Sequence, residues 1–272
     1  METRPVSPVE PRAWIAVTSV SAAVVPDCAV AGPSDVPRAT GGVESHFDAD
    51  FHLALGDLPH RLRLFCGGNT SPRPWIVADE RRTADLRGGL MTRHPGKVLV
   101  GVTWRSLAPK TGARRTIAPA LWRPLAGLPH IATVSLQYGA TDADRVAFRT
   151  EAGLDLDLEH GVNPMRSLDD LVSLIAAVDL VLCPTNNTVH FAGAMAKPCW
   201  TLLPSTPDWR WGLNGAGSRW YSGMRVLRQR EAGNWREVIS EASRGLAGFV
   251  TGAADEGGAA SVPSAAKICG DP

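Results

Sequence analysis

The sequence predicts an α/β fold, a doubly wound parallel sheet of the Rossmann type, and three observations predict it. From Lys97 onward, short apolar runs rich in Val, Leu and Ile alternate with segments of helical length. The run Leu180–Cys183 is apolar throughout, as a strand covered on both faces of a parallel sheet requires. Single helices between successive strands imply right-handed crossovers and therefore parallel pairing.

The elements follow in order. Residues 1–45 are rich in Pro, Ala, Val, Ser and Gly with no sustained period, and read as a poorly structured segment. Phe51–Leu64 reads as a connecting segment and Asp79–Leu90 as a helix. Strands are expected at Val98–Trp104, Ala132–Gln137, Leu154–Leu156, Leu180–Cys183, Trp200–Leu203 and Arg225–Arg228. Helices are expected at Pro119–Ala126, Asp142–Ala152, Ser167–Val178, Thr188–Ala196 and Trp235–Phe249. Ser167 followed by Asp169 and Asp170 is a helix start, with acids set against the positive end of the dipole. The tail after Gly252 is rich in Gly, Ala and Ser and reads as disordered. The division expected is therefore 1–45 unstructured, 46–96 the end of a preceding domain with its linker, 97–250 the Rossmann-like domain, and 251–272 a tail.

The chain has 272 residues and a formal net charge of +1, which argues against a nucleic-acid partner. Its five cysteines are scattered without a CxxC pair, so neither a disulfide framework nor a zinc site is expected, in keeping with a reducing, cytoplasmic setting. No apolar run reaches the roughly 18 residues of a membrane span. Ala13–Val25 has the flavour of a signal peptide, but Glu2 and Glu10 precede it and Thr18, Ser19 and Ser21 dilute it.

The most informative stretch is Asp179–Pro204. A buried strand (Leu180–Cys183) leads through Pro184, Thr185, Asn186 and Asn187 into a helix opening near Thr188. Ala192, Gly193, Ala194 and Ala196 let that helix lie close on the sheet, Lys197-Pro198 ends it, and Cys199–Leu203 is the next strand. An α/β domain builds a phosphate site in this way, with free backbone N–H groups and the positive dipole end facing an anion. Asn186 and Thr188 also fit a plain Asx turn and N-cap, and His190 a satisfied structural histidine. Ligands in such sheets bind beyond the carboxyl ends of the strands. That rule gathers Trp104-Arg105-Ser106, Gln137-Tyr138-Gly139, Thr185–His190 and Pro204–Trp211 at one edge.

These loops carry a resemblance to the C-terminal half of bacterial family 9 glycosyltransferases, the ADP-heptose:lipopolysaccharide heptosyltransferase group, in the branch found fused behind tetratricopeptide repeats. The matching blocks are Val100–Arg105, Arg115-Thr116-Ile117 with Trp122 and Leu125, Val134–Gly139, Leu168-Asp169-Asp170 and Leu174–Val181. The strongest is Asn186 and Thr188-Val189-His190 with Ala192-Gly193-Ala194, Lys197-Pro198 and Trp200. Pro207–Trp211, Trp220-Tyr221 and Arg228-Gln229 complete it, and the match covers roughly residues 50–250.

The resemblance implies the C-terminal domain of a GT-B glycosyltransferase that binds a nucleotide-activated sugar as substrate, without a cofactor or metal, and passes the sugar to a glycan or protein acceptor. By that likeness Thr188, His190 and the amides through Gly193 would hold the donor diphosphate, with Asn186 in the same turn. Thr103, Arg105 and Lys110 or Arg115 would neutralise the leaving phosphates. Gln137 and Tyr138 would sit by the nucleoside, and Asp208, Trp209 and Arg210 would line the cleft near the sugar. Many relatives carry an acidic residue where Thr185 stands. The family's N-terminal domain supplies the acceptor site and general base, and needs about 120 to 150 residues. About 95 residues precede Lys97, so that domain is expected to be truncated or supplied by a separate chain, with Asp48, His52, Asp50 or Asp57 the candidate bases.

Several features stay open at the level of sequence. Nine tryptophans, four of them within Trp200–Trp220, suit either a core cluster or an aromatic wall for a sugar or nucleoside. Lys110, Arg114 and Arg115 form either a solvated loop or a phosphate clamp, and Asp155, Asp157 and Glu159 read as a surface loop. An inactive relative that binds nucleotide-sugar or a partner without turnover is the alternative function. A Rossmann dehydrogenase or epimerase is disfavoured, because no GxGxxG follows the Val98–Trp104 strand.

Overall fold

A computed structural model describes residues 74–255 of the chain, with side chains to residue 251. These residues lie in the unit Ser71–Pro272. The expectations for residues 1–45, Phe51–Leu64, the four candidate bases and residues 256–272 lie outside the described residues.

Helix α1 (Glu80–Arg93) starts where Asp79 accepts a hydrogen bond from the backbone N–H of Arg82 at 2.7 Å. Strand β1 (Val98–Val102) follows, then a single-turn helix α2 (Gly112–Arg115) that the periodicity does not predict. The helix expected at Pro119–Ala126 is a 3-10 turn, Pro119–Trp122, running into α3 (Arg123–Ala126). Next come β2 (Ile131–Ser135) and α4 (Asp142–Ala147), whose last stretch widens into a π-type turn, Phe148–Ala152. The chain continues through β3 (Leu156–Asp157), α5 (Leu168–Ala177), β4 (Leu180–Pro184), α6 (Asn187–Ala194) and β5 (Cys199–Leu203). A 3-10 turn (Trp209–Trp211), β6 (Met224–Arg228) and α7 (Trp235–Asp255) complete it, α7 running past the end expected at Phe249.

All six strands are parallel, in the order β3-β2-β1-β4-β5-β6. The chain reverses its direction of winding between β1 and β4, and such a sheet opens its binding crevice at that seam. Strand residues alternate between two cores. Leu99, Val181, Cys183 and Cys199 face α1, α5 and α6, whereas Val100, Leu180, Leu182 and Leu202 face α3, the π-type turn after α4, and α7. This two-sided burial is the physical reason that the strands read as unbroken apolar runs. Gly101 is required by close approach: a Cβ there would meet Leu136 Cδ1 at 2.5 Å and Val178 Cγ2 at 3.1 Å.

Helix α1 packs on α5 through Leu86 and Leu90. Arg82 adds an ion pair to Asp170 at 2.7 Å, and Arg87 donates to the Ala177 carbonyl at 2.6 Å. Helix α6 ends in a Schellman arrangement, with Lys197 N–H on Ala192 O (2.9 Å) and Ala196 N–H on Gly193 O (3.0 Å). Ala196 takes the left-handed conformation this requires, with φ +52°.

One sequence expectation needs correction. The acidic stretch at Asp155–Glu159 is not a free surface loop. Asp157 lies in β3, buried, and accepts from Arg93 Nε at 2.9 Å and His94 Nε2 at 2.7 Å. Burial alone would raise its pKa, but the hydrogen bonds from Arg93, His94 and the Glu159 backbone hold it below the usual carboxylate value. Among the described residues no helix is long and apolar enough to cross a membrane.

Candidate functional site

The crevice at the carboxyl ends of β1 and β4 is built around the start of α6. Asn186 is the N-cap: its Oδ1 accepts from Thr188 N–H at 3.1 Å. Its Nδ2 reaches across the seam, donating to Thr103 Oγ1 at 2.8 Å and to the Arg105 carbonyl at 3.4 Å. One side chain therefore fixes the helix start and ties β4 to β1. The remaining N–H groups of the first turn have no partner within the helix, which leaves them for an anion.

Charged groups gather beside that turn. Arg115 Nη1 donates to the Thr185 carbonyl at 3.1 Å, and its Nη2 lies 3.7 Å from Asp208 Oδ2. Asp208 Oδ1 accepts from Arg210 N–H at 3.1 Å, capping the 3-10 turn, and lies 3.6 Å from Arg210 Nη1. Two guanidiniums and one carboxylate leave an excess of positive charge there, adding to the dipole of α6. His190, in the first turn, pairs through Nδ1 with the Tyr221 hydroxyl at 3.0 Å and stacks on Trp211 with ring centroids 5.9 Å apart. Burial first, then the charges of Arg210 and Arg115, lower its pKa, while Asp208 raises it, so the imidazole is neutral at pH 7.

The other site residues predicted from sequence take different roles. Arg105 is paired with both carboxylate oxygens of Asp144 and donates to the Gly139 carbonyl at 2.6 Å. Burial would raise the Asp144 pKa, but its bonds to Arg105 and Thr141 hold it low, so the pair is ionised and mutually neutralised. Gln137 is buried, and its Oε1 accepts from the N–H groups of Trp104 and Arg105, each at 3.0 Å. Its Nε2 donates one hydrogen to the Tyr138 carbonyl at 3.1 Å, so Gln137 braces the ends of β1 and β2. Lys110 and Arg114 are exposed. Trp209 is largely exposed, with the Arg210 guanidinium 4.7 Å above its ring and Trp220 edge-on at 5.7 Å.

Gly193 is a correction. It lies beyond the first turn, so its N–H is part of the helical ladder and faces no anion. Its missing side chain makes a notch for Tyr221 instead: a Cβ would meet Tyr221 Cγ at 2.3 Å.

A further pattern runs along the whole edge. Among the described residues, seven buried side-chain N or O atoms have no hydrogen-bond partner, and five of them follow strands at the carboxyl side. They are the Tyr138 hydroxyl after β2, His160 Nε2 after β3, the Thr188 hydroxyl after β4, Trp211 Nε1 after β5 and Gln229 Nε2 after β6. Buried polar atoms are rarely left unpaired, so a row of them marks where a ligand or water completes the bonding. His160 also lines a cavity of about 230 Å³ with Gln137, Gly139, Asn163 and Met165, at the ends of β2 and β3. Sequence reading alone omits Tyr221, Trp211, Gln229 and His160. The first three fall in blocks that carry the family resemblance, which is the signal that could have found them.

No known protein-family profile matches the chain. It is 28% identical over 213 residues to Protein FlbA of Caulobacter vibrioides, covering 78% of this chain and 35% of that protein. Two solved structures resemble it in part. One is the glycosyl transferase family 9 from Veillonella parvula DSM 2008, at TM-score 0.44 and 14% identity, covering 64% of this chain and 52% of that one. Another is E. coli ADP-heptose lps heptosyltransferase II, at TM-score 0.42 and 17% identity, covering 65% and 56%. The chain thus spans about a third of the length of FlbA, and about half of each transferase.

Proposed function

We propose that residues 97–250 form a nucleotide-sugar-binding domain and that the protein transfers the glycosyl group to an acceptor by metal-independent chemistry. The observation that carries this reading is the Asn186-capped start of α6 at the β1/β4 seam, flanked by Arg115, His190 and Arg210. In this reading the donor diphosphate lies on the free N–H groups of that turn, and the buried, unpartnered hydroxyl of Thr188 adds a donor. As the glycosidic bond breaks, its electron pair leaves with the diphosphate oxygen. Arg115, Arg210 and the helix dipole stabilise that developing charge, preorganised and partly desolvated. The nucleoside fits the cavity beside Gly139 and Met165, with the Tyr138 hydroxyl nearby in sequence. The acceptor and the general base belong to a further domain, in the same chain or another.

The test is calorimetry with a panel of nucleoside diphosphates, followed by assays of sugar transfer and donor hydrolysis with the corresponding nucleotide-sugars. Binding that His190→Ala weakens, with turnover, is the expected result. No binding by any nucleotide would overturn the reading. Binding without turnover would favour a second reading, a nucleotide-sugar-binding protein that does no chemistry. One observation favours that second reading: Arg105, a cation expected at the phosphates, is already neutralised by Asp144.

A further inference from the structure

We infer that Tyr221, seated in the notch left by Gly193, is a positioning residue that holds His190 in one tautomer and one orientation so that its Nε2–H is presented to the donor diphosphate. The inference rests on the diphosphate reading of the α6 start and adds the device that prepares its imidazole.

Three contacts define the device. The Tyr221 hydroxyl meets His190 Nδ1 at 3.0 Å, although the two residues are 31 positions apart and on different elements. The Tyr221 ring lies so close to α6 that any side chain at position 193 would collide with Cγ and both Cδ atoms, within 2.3–2.7 Å. His190 also lies near-parallel to Trp211, at 25° between ring planes. The imidazole thus contacts two aromatic rings, with Nδ1 bonded and Nε2 left to meet a ligand.

The tautomer follows from proton chemistry. Burial raises the Tyr221 pKa, with the Arg210 charge working the other way, so the phenol keeps its proton at neutral pH and can donate it. A neutral imidazole that accepts at Nδ1 carries its proton on Nε2. The charged groups facing His190 are Arg210 and Asp208 from the segment after β5 and Arg115 from α2, and the two guanidiniums outweigh the one carboxylate. A neutral N–H donor therefore suits this position better than a third cation. Tyr221 also anchors the segment between β5 and β6 onto α6, the same segment that carries Asp208 and Arg210. Donation from the phenol to Nδ1 opposes protonation there, so removing the hydroxyl raises the His190 pKa.

The experiment uses the full chain, ¹⁵N-labelled on histidine, with inorganic pyrophosphate as the probe. Ring ¹⁵N shifts report the His190 tautomer without ligand, assigned by its loss in His190→Ala. Titration of pyrophosphate from pH 5 to 8 reports affinity. The wild type is expected to show an Nε2–H imidazole and to bind pyrophosphate. Tyr221→Phe, which keeps the ring in its notch, is expected to lose the tautomer bias, weaken binding several-fold at pH 7.5 and move the acid-side gain in affinity to higher pH. Gly193→Ala, which displaces the ring but keeps the hydroxyl, is expected to reproduce the loss, with thermal unfolding confirming that it folds. If the wild type binds, His190→Ala weakens binding, and Tyr221→Phe changes neither tautomer nor affinity, the inference fails while the diphosphate site stands. If the wild type does not bind pyrophosphate, the site reading fails and the role given to Tyr221 fails with it.

Discussion

The two ends of the sheet follow opposite polar rules. At the amino end, the start of β4 is anchored by Asp179, whose Oδ1 accepts from Arg87 Nη2 at 2.8 Å and whose Oδ2 accepts from the buried Leu99 N–H at 2.7 Å. Lys197 beside it donates to the Ala176 carbonyl at 2.9 Å. At the carboxyl end, five strands are followed by a buried polar atom with no partner, and guanidiniums crowd around one carboxylate. Saturated polar groups fix a fold, whereas unsaturated ones are held at a cost that a ligand or water relieves. The difference teaches that this domain is braced at one end and poised at the other, and substitutions at the two ends should separate stability from binding.

The largest effect is expected at the braced end. Asp179→Ala leaves the Leu99 N–H buried without an acceptor and Arg87 without its carboxylate, and should cost about 2–3 kcal/mol of stability. A chemical denaturation midpoint measures it, and pyrophosphate affinity of the folded protein should be unchanged. A stability loss under 0.5 kcal/mol, or a matching loss of affinity, would break the comparison.

The same end carries a pH signature. Burial lowers the Lys197 pKa to about 8, partly opposed by Asp179, with Arg87 lowering it further. The unfolded lysine keeps its ordinary pKa near 10.4, so between about pH 8 and 10 the unfolded chain binds more protons and stability rises with pH through this group. The penalty is fully present below pH 8 and amounts to about 3 kcal/mol at most. Lys197→Met should remove that contribution. The difference between variant and wild-type unfolding free energy is expected to shrink as pH rises from 8 to 10, and a constant difference would refute the assignment.

At the poised end, Asn186→Ala should cost about 1 kcal/mol through the lost N-cap. Asn186→Asp keeps a good N-cap oxygen and adds a negative charge where the donor diphosphate is expected. Its lost Nδ2 bonds to Thr103 and the Arg105 carbonyl should cost about 1 kcal/mol, as in Asn186→Ala, while the added charge lowers pyrophosphate affinity by tenfold or more. Equal affinity for the two chains would argue that no anion sits at α6.

Much of this comparison is legible in sequence, and the rest fails for physical reasons. Strands β1 and β4 were readable because burial on both faces selects an almost unbroken apolar run, and β2, β5 and β6 because Val, Leu and Ile still dominate around Thr133, Thr201 and Arg225. The Asn186 turn was readable because N-caps act over two or three residues. What escapes is contact between positions distant in sequence. Asp157 looked like part of a surface loop because Arg93 and His94, its partners, lie 64 and 63 positions away. Gln137 and Arg105 were expected at the donor by the family resemblance, and only the structure shows the bonds they make to neighbouring backbone and Asp144. Gly193 was read for its amide, whereas its importance lies in the space taken by a tyrosine from the next crossover.

The last expected change in stability is the most discriminating, because its sign is reversed. The Thr188 side chain is wholly buried and its hydroxyl has no partner. Thr188→Val replaces that hydroxyl with a methyl of similar size and removes an unpaired buried polar group, which should raise stability by about 1 kcal/mol. Helix propensity changes little, since both side chains are β-branched. Pyrophosphate affinity should fall in the same variant, because the hydroxyl is one of the donors assigned to the anion. A gain in melting temperature together with weaker binding is the outcome that a poised site requires and a braced one forbids. Were Thr188→Val instead to lose stability, the hydroxyl would have a partner in the folded chain, and the row of unpaired atoms at the carboxyl edge would no longer mark a binding surface at β4.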